Sequence, residues 1–393
     1  MTERRTGVPL TVLASVVLGA LSVIPSLRPS VAHAVQAPYT PAAGDAWETR
    51  DPRAANFDPG LLAAAVDFAT TNPIPWSHDL TEQMKSLSAR ERWPLTLGPV
   101  KNWDAPSGVV LRHGYIVAEW GDTRRVDVTF SVAKSYLSAV TGLAIDRGMI
   151  PDVDRPVGEL VKDGGFASEH NRAVTWRHLL TQTSEWEGVL WGKPDSADRR
   201  AGWNRTLQAP GTFWEYNDVR VNRLALSLLR VWKRPLAEVL DEFIMKPIGA
   251  TDTWRWYGYF NSWVMESGRQ VQSVSGGTHW GGGIWMSTRD HARFGLLMSR
   301  NGLWGDTRLL SEQWVSQVRT PTTLRPVYGW LWWLNTERKQ FPAASERSFF
   351  ALGAGGNMIW IDPNLDLVVV TRWLDPAKTN DFIGKVIAAF AGT

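Results

Sequence analysis

The chain has 393 residues, of which 44% are apolar and 21% are charged, and it contains no cysteine. This composition excludes whole-chain disorder and a fibrous repeat, and the lack of cysteine excludes disulfides, thiolate metal sites and a cysteine nucleophile. The formal net charge of +3 is too small to indicate a nucleic-acid-binding surface, so we predict no nucleic-acid partner.

Residues 1–34 have the pattern of an export signal. Arg4 and Arg5 form a short basic start, residues 8–27 are almost entirely apolar or small, and small residues stand at 32 and 34. We expect cleavage after Ala34 and a periplasmic or secreted protein, with no membrane partner beyond this signal. The alternative is an uncleaved membrane anchor, because about 20 apolar residues can span a bilayer.

Residues 35–104 give a weak pattern, with several prolines and mixed charge. Only Pro59–Thr70 has a helix-like distribution of apolar residues. We predict an N-terminal arm with one or two helices that pack on the body of the protein. The sequence assigns no chemistry to this arm.

The body begins with a predicted hairpin and a long helix. Residues 107–120 predict strand, turn and strand, with the turn at His113-Gly114. Phe130 to Arg147 is a long apolar stretch that predicts a helix, and Gly148 fits its C-cap.

The later pattern completes a mixed fold. Residues 150–300 predict helices and loops without a long strand, and a closing helix is predicted over Thr379–Ala391. Between them, short strands are predicted at Val327–Asn335, Ser348–Leu352, Asn357–Asp362 and Asp366–Trp373. We therefore predict an α+β fold in which an antiparallel sheet is flanked by helices and carries an inserted helical lobe. The predicted sheet lobe is 105–149 and 290–393, and the mostly helical lobe is 150–289.

Ser131 and Lys134 open the predicted long helix. Residues i and i+3 share a helix face, so the Lys134 amine can reach the Ser131 hydroxyl. The helix N-terminus adds partial positive charge, which favours a developing oxyanion. A serine activated by a lysine is a candidate nucleophile. The alternative is that Ser131 simply caps the helix.

Two further segments fit acyl-transfer chemistry. Tyr216 follows a Pro-Gly turn about 80 residues later, and a tyrosine there can act as a second base or as a proton relay to the leaving group. Small residues at 353–356 precede a predicted strand, so substrate can lie against that backbone and use its amides as an oxyanion hole.

Together these segments resemble the serine β-lactamase and penicillin-recognising superfamily over about residues 105–390. The Ser131–Lys134 segment corresponds to the first family motif, Tyr216-Asn217-Asp218 to the second, and Ala351-Leu352-Gly353 to the third. The chain is most similar to the class C-like branch, which contains β-lactamase-fold esterases, 6-aminohexanoate-dimer hydrolases and D-alanyl-D-alanine carboxypeptidases. The resemblance implies a β-lactamase/transpeptidase-like fold and an acyl-enzyme on Ser131, with Lys134 and Tyr216 as base.

The resemblance also implies an oxyanion hole and a set of cleft residues. The backbone amides of Ser131 and Ala354 would hold the oxyanion, beside Gly353. By position, His279 and Trp280 resemble a strand that forms the cleft wall, although plain packing is an equal alternative for both residues.

Two departures from the family pattern bear on the substrate. Asp218 replaces an Asn, and its carboxylate would tend to keep Lys134 protonated, which favours Tyr216 as the working base. Ala351 replaces the cation that β-lactamases and carboxypeptidases use for the substrate carboxylate. The sequence therefore favours a neutral small-molecule ester or amide as substrate.

No cofactor is predicted, because the sequence has neither a spaced metal-ligand cluster nor a nucleotide-binding glycine pattern. The 23 tryptophans fit either core packing or an aromatic cleft. Two other functions stay open, namely a true β-lactamase or D-alanyl-D-alanine carboxypeptidase, and a catalytically idle binding module of the cell envelope.

Overall fold

An antiparallel sheet built from both ends of the chain is the centre of this computed structural model, which describes residues 39–89, 91–277 and 280–390. The helices are α1 (Pro59–Thr71), α2 (Leu80–Ser88), α3 (Ala133–Asp146), α4 (Trp176–Leu180), α5 (Asp218–Trp232), α6 (Leu236–Leu240), α7 (Thr288–Ser299), α8 (Glu312–Val318) and α9 (Thr379–Ala388). The strands before residue 280 are β1 (Ser107–Arg112), β2 (Tyr115–Trp120), β3 (Asp127–Val128), β4 (Val189–Leu190), β5 (Lys193–Pro194), β6 (Arg255–Glu266) and β7 (Arg269–Val274). The later strands are β8 (Gly283–Met286), β9 (Leu303–Trp304), β10 (Thr307–Arg308), β11 (Trp333–Leu334), β12 (Phe349–Gly353), β13 (Asn357–Asp362) and β14 (Leu367–Arg372).

The main sheet has the strand order β11-β12-β13-β14-β1-β2, and all neighbours are antiparallel. Strand β1, from the start of the body, therefore pairs with β14, from its end. The predicted α+β class, with an antiparallel sheet between helices, is confirmed. The predicted division into a sheet lobe and a helical lobe stays a prediction.

Alternation along β1 places apolar side chains on both faces of this sheet. Val109 and Leu111 belong to the larger core, which α3 and α7 cover, whereas Val110 belongs to the core under α1 and α9. These three side chains are 1% exposed or less, so both faces of the sheet are buried at β1.

The hairpin between β1 and β2 turns where the sequence predicts. His113 and Gly114 both have positive φ, at 54° and 85°, as a tight two-residue hairpin turn requires.

Two expectations about strands are wrong. Strand β6 is twelve residues long and lies within the segment expected to lack a long strand. Its register with β7 shifts between Gly258 and Trp263, so the period-two pattern is interrupted and hard to read from sequence. The strand expected over Val327–Asn335 is reduced to β11, because the chain turns at Leu331, whose φ is 61°.

The N-terminal arm packs on the body through both of its helices. Helix α1 matches the predicted run and packs beside α9 in one core. Helix α2 begins after Asp79, whose side chain accepts hydrogen bonds from Thr81 and Glu82 amides. Downstream of it, Trp103 stacks on Trp373 with the ring centroids 4.8 Å apart. The arm thereby reaches the side of the body that carries the predicted nucleophile.

The predicted export signal at 1–34 lies outside the described residues. Within the described ranges, none of the helices combines the length and apolar character needed to cross a bilayer. Many tryptophans pack in the interior, among them Trp254, Trp256, Trp330 and Trp332, which are 6% exposed or less.

Candidate active site

Ser131 lies on a short helical turn, Phe130–Val132, that leads directly into α3. The residue before it, Phe130, has a φ of 49°, a left-handed conformation that is strained for a bulky side chain. This backbone reversal directs the start of α3 toward an open cleft, and Ser131 is one of the residues that line the cleft.

Lys134 reaches Ser131 as the helical spacing predicts. Its Nζ atom donates a hydrogen bond to the Ser131 Oγ atom at 2.9 Å. The Ser131 hydroxyl in turn points toward the carbonyl oxygen of Gly277, at 3.4 Å. The Lys134 side chain is only 2% exposed, so its amine is shielded from bulk water.

Asp218 is the counter-ion of Lys134. It is the first residue of α5, and its Oδ1 atom forms an ion pair with the Lys134 Nζ atom. The Asp218 side chain is 3% exposed, and the helix N-terminus favours its negative charge. A buried pair of this kind is held together because neither charge has water as an alternative partner.

Tyr216 completes the polar group around the serine. The centroid of its ring lies 4.6 Å from the Lys134 Nζ atom. Burial and the charge of Asp218 raise the pKa of Tyr216 above its ordinary value, while a hydrogen bond with Ser131 opposes this. Tyr216 is therefore a neutral phenol at neutral pH, which fits a proton relay better than a base that starts as tyrosinate.

The third motif lies directly against the serine turn. An ideal Cβ atom on Gly353 would be 2.3 Å from the Thr129 carbonyl oxygen and 3.2 Å from the Ser131 amide nitrogen, so only glycine fits. Ala354, the next residue, lines the cleft together with Ser131. Both residues predicted to supply oxyanion donors thus lie in one cleft. Ala351, by contrast, is 1% exposed and belongs to the core.

The cleft has a volume of about 460 Å³. Its walls come from α2 and the preceding loop, from the serine turn, from the Tyr216 loop and from the third motif. Residues that line these walls include Met84, Leu87, Phe130, Arg200, Trp214 and Arg325. The contribution of the arm is a part of the site that sequence reasoning missed, because nothing in residues 35–104 signals which surface they cover.

A buried ionic network holds the Tyr216 loop, and sequence reasoning missed it as well. The Gln182 side-chain oxygen accepts a hydrogen bond from the Asn217 amide at 3.1 Å. Arg205 and Arg220 both donate to Glu185, at 2.6 to 2.7 Å. Burial alone would raise the pKa of Glu185, but these arginines lower it to about 2. The partners of Gln182 and Glu185 are distant in sequence, so no local pattern marks this network.

The two residues predicted for the cleft-wall strand differ in outcome. His279 lies outside the described residues. Trp280 is 2% exposed and donates to the Glu91 carboxylate at 3.3 Å. Glu91 lines the cleft, so Trp280 lies behind the wall and supports it.

No group of three or more His, Asp or Glu side chains that could hold a metal ion occurs among residues 39–89, 91–277 and 280–390. The chemistry of the cleft is that of a serine hydroxyl, an amine, a carboxylate and a phenol.

Comparison with known proteins assigns the chain to a family. The beta-lactamase family model matches residues 109–373, which include all three motifs. The chain belongs to the beta-lactamase family. No curated protein is similar enough in sequence to be matched.

Solved structures with the beta-lactamase-family fold are similar over most of this chain. A family VIII carboxylesterase is 17% identical, with a TM-score of 0.53, over 72% of this chain and 92% of its own. EstCE1, a hydrolase with promiscuous acyltransferase activity, is 14% identical, with a TM-score of 0.54, over 85% and 99%. A penicillin-binding protein homologue from Caulobacter crescentus is 16% identical, with a TM-score of 0.53, over 72% and 92%. At these identities the likeness confirms the predicted β-lactamase/transpeptidase-like fold.

Proposed function

We propose that this protein is an exported serine hydrolase that cleaves an ester or amide bond through an acyl-enzyme on Ser131. The observation that supports this most strongly is the contact of the Ser131 hydroxyl with a buried amine in an open cleft, at 2.9 Å. Membership of a family that contains esterases and amidases agrees with it.

The Lys134–Asp218 pair acts as the base. Lys134 takes the proton of Ser131 while it passes one of its own protons to Asp218, so the pair as a whole gains one proton and the charge on the amine is unchanged. The freed Ser131 oxygen attacks the carbonyl carbon, and the carbonyl oxygen becomes an oxyanion that the Ser131 and Ala354 amides stabilise.

Tyr216 returns the proton. Its hydroxyl donates to the leaving oxygen or nitrogen while it recovers a proton from Lys134, and Asp218 gives its proton back to the amine. The carbon–leaving-group bond breaks and the acyl group stays on Ser131. Water then attacks the ester by the same route in reverse, and free Ser131 is restored.

Labelling with a fluorophosphonate tests the acyl-enzyme directly. We expect the intact mass of residues 35–393 to increase by one phosphonyl group, and we expect no increase for Ser131→Ala. Ser135→Ala is the matched control, because Ser135 lies one turn later in α3 and donates to the Leu331 carbonyl, away from the cleft. Hydrolysis of p-nitrophenyl butyrate that survives in Ser131→Ala would refute the proposal.

The same experiment with a penicillin separates the alternatives. A stable penicillin adduct on Ser131 would move the assignment toward peptidoglycan enzymes. If neither reagent forms an adduct and no ester is hydrolysed, the result would favour the third alternative, a catalytically idle binding module of the cell envelope. Export has its own readout, since the intact mass of protein expressed with its leader shows whether the chain begins at Val35.

A further inference from the structure

The cleft around Ser131 has two chemically different walls. An apolar part of the lining consists of Met84 and Leu87 of α2 together with Phe130. A charged part consists of the guanidinium groups of Arg200 and Arg325. The difference in polarity between the walls indicates how a substrate is oriented.

The two arginines are placed by aromatic rings next to the catalytic group. The Cζ atom of Arg200 lies 5.1 Å from the ring centroid of Tyr216, and that of Arg325 lies 5.2 Å from the ring centroid of Trp214. The rings of Trp214 and Tyr216 are themselves neighbours, with centroids 6.5 Å apart. Both cations therefore lie beside one pair of neighbouring aromatic rings, to which Tyr216 belongs.

Neither guanidinium group has an acidic partner within the described part of the chain. Arg200 and Arg325 form no ion pair there, and their side chains donate no hydrogen bond to a described protein atom. The acidic groups that share the cleft are otherwise engaged: Asp218 pairs with Lys134, and Glu91 accepts from Trp280. The two guanidinium groups carry ten N–H donors between them, and a carboxylate in the cleft can bind such a group in a bidentate manner.

This arrangement changes the expectation for the substrate. Ala351 replaces the cation of the third family motif, and from this the sequence favours a neutral substrate. In the structure, Arg200 and Arg325, which lie outside the three motifs, line the cleft and supply positive charge there.

We propose that the substrate is an ester or amide with an apolar acyl group and a leaving group that carries a carboxylate, bound by Arg200 and Arg325. The leaving group is assigned to the arginine wall because Tyr216, which returns the proton to it, stands beside Arg200. The acyl group then faces Met84, Leu87 and Phe130. This proposal rests on the proposed hydrolase function.

Two matched esters test it. In 4-(butyryloxy)benzoate the leaving group is anionic, and in 4-(butyryloxy)benzamide it is neutral and of nearly the same size. After correction for their rates of hydroxide hydrolysis, we expect kcat/KM to favour the benzoate by at least about 10-fold. We expect Arg200→Gln and Arg325→Gln each to lower kcat/KM for the benzoate by roughly 10-fold more than for the benzamide, the scale of a partly exposed charge-assisted hydrogen bond.

Arg172→Gln is the control for the arginine variants, since Arg172 is exposed and does not line the cleft.

A second measurement concerns the residues proposed to contact the acyl group. Leu87→Ala should reduce the preference for octanoyl over butyryl esters several-fold, because each buried methylene favours binding by about 4-fold. Leu87 is 45% exposed, so this variant does not threaten folding.

Equal benzoate-to-benzamide ratios in wild type and in the Arg200→Gln/Arg325→Gln double variant would overturn the proposal. So would a preference confined to a carboxylate on the acyl side, as in mono-p-nitrophenyl glutarate compared with p-nitrophenyl valerate. Both results leave ester hydrolysis intact. Failure of the hydrolase function itself is recognised differently, by no hydrolysis of any ester and no fluorophosphonate adduct.

Discussion

Replacing Asp218 by Asn tests whether the carboxylate works in catalysis or only balances charge. The Lys134 and Asp218 side chains are 2% and 3% exposed, so water cannot take the place of the lost partner. Removing one member of a buried ion pair costs about 3–5 kcal/mol when the other stays charged. That is a large part of the ~5–15 kcal/mol by which a typical domain is stable. We expect urea unfolding, followed by tryptophan fluorescence, to show a loss of this size at pH 7.

The same substitution is expected to move the pH dependence of kcat/KM. In the proposed relay, Asp218 receives the proton, so the pair can accept the proton of Ser131 while Lys134 is charged. In Asp218→Asn, Lys134 must lose its own proton before it can accept that of Ser131. We therefore expect kcat/KM for p-nitrophenyl butyrate to fall by about 100-fold at pH 6, the lower range for loss of a general base, and to recover partly by pH 9.

Asp163→Asn is the matched control, because Asp163 pairs with Arg223 and does not line the cleft. It should lower stability without moving the pH profile. A wild-type pH profile in Asp218→Asn would show that the carboxylate is only a structural counter-charge. Higher activity than wild type at pH 6 would show that Asp218 holds Lys134 in an inactive charged form, and would refute the relay.

Two further predictions concern the backbone and the pH dependence of stability. Gly353→Ala should reduce fluorophosphonate labelling and kcat/KM by at least about 100-fold, because its Cβ would lie 2.3 Å from the Thr129 carbonyl oxygen and displace the backbone that forms the oxyanion hole. The control is Gly384→Ala, whose Cβ would lie 3.6 Å from its nearest neighbour and which should be labelled normally. Equal labelling of the two variants would contradict this prediction. Lys193 is 1% exposed, and burial, opposed by Glu91 and Asp198, lowers its pKa from 10.5 to about 7. Between pH 7 and 10.5, residue 193 therefore binds more protons in the unfolded chain than in the folded protein. The free energy of unfolding of the wild type, measured with urea, should rise with pH relative to that of Lys193→Met. If the two free energies change in parallel with pH, Lys193 stays charged in the folded protein.

The sequence predicts the geometry of the candidate site where the interaction is local. Ser131 and Lys134 are three residues apart, so helical spacing alone brings them together. Gly353 is predicted because a backbone lying against the substrate needs a small residue, and the structure adds that the serine turn itself occupies the space of a Cβ. The fold class follows in the same way, from strands at both ends of the body with helices between them.

Interactions between distant segments could not be predicted. Glu185 accepts a hydrogen bond from Arg220, which is 35 residues away in the sequence, and no local sequence pattern marks the pair. Strand β6 was missed because its irregular register hides the alternation on which strand prediction depends. The two arginines of the cleft could not be predicted for the same reason: Ala351 is visible in a motif, whereas Arg200 and Arg325 come to line one cleft only after folding.

The wall that α2 contributes has a consequence for how specificity can change in evolution. The family match begins at residue 109, whereas Met84 and Leu87 precede it. The segment that lines the cleft from α2 thus precedes, in the sequence, the part that carries the proposed nucleophile and proton relay. Insertions, deletions or recombination upstream of residue 107 can remodel one side of the cleft and leave the reaction chemistry untouched, so proteins that share the three motifs need not share a substrate.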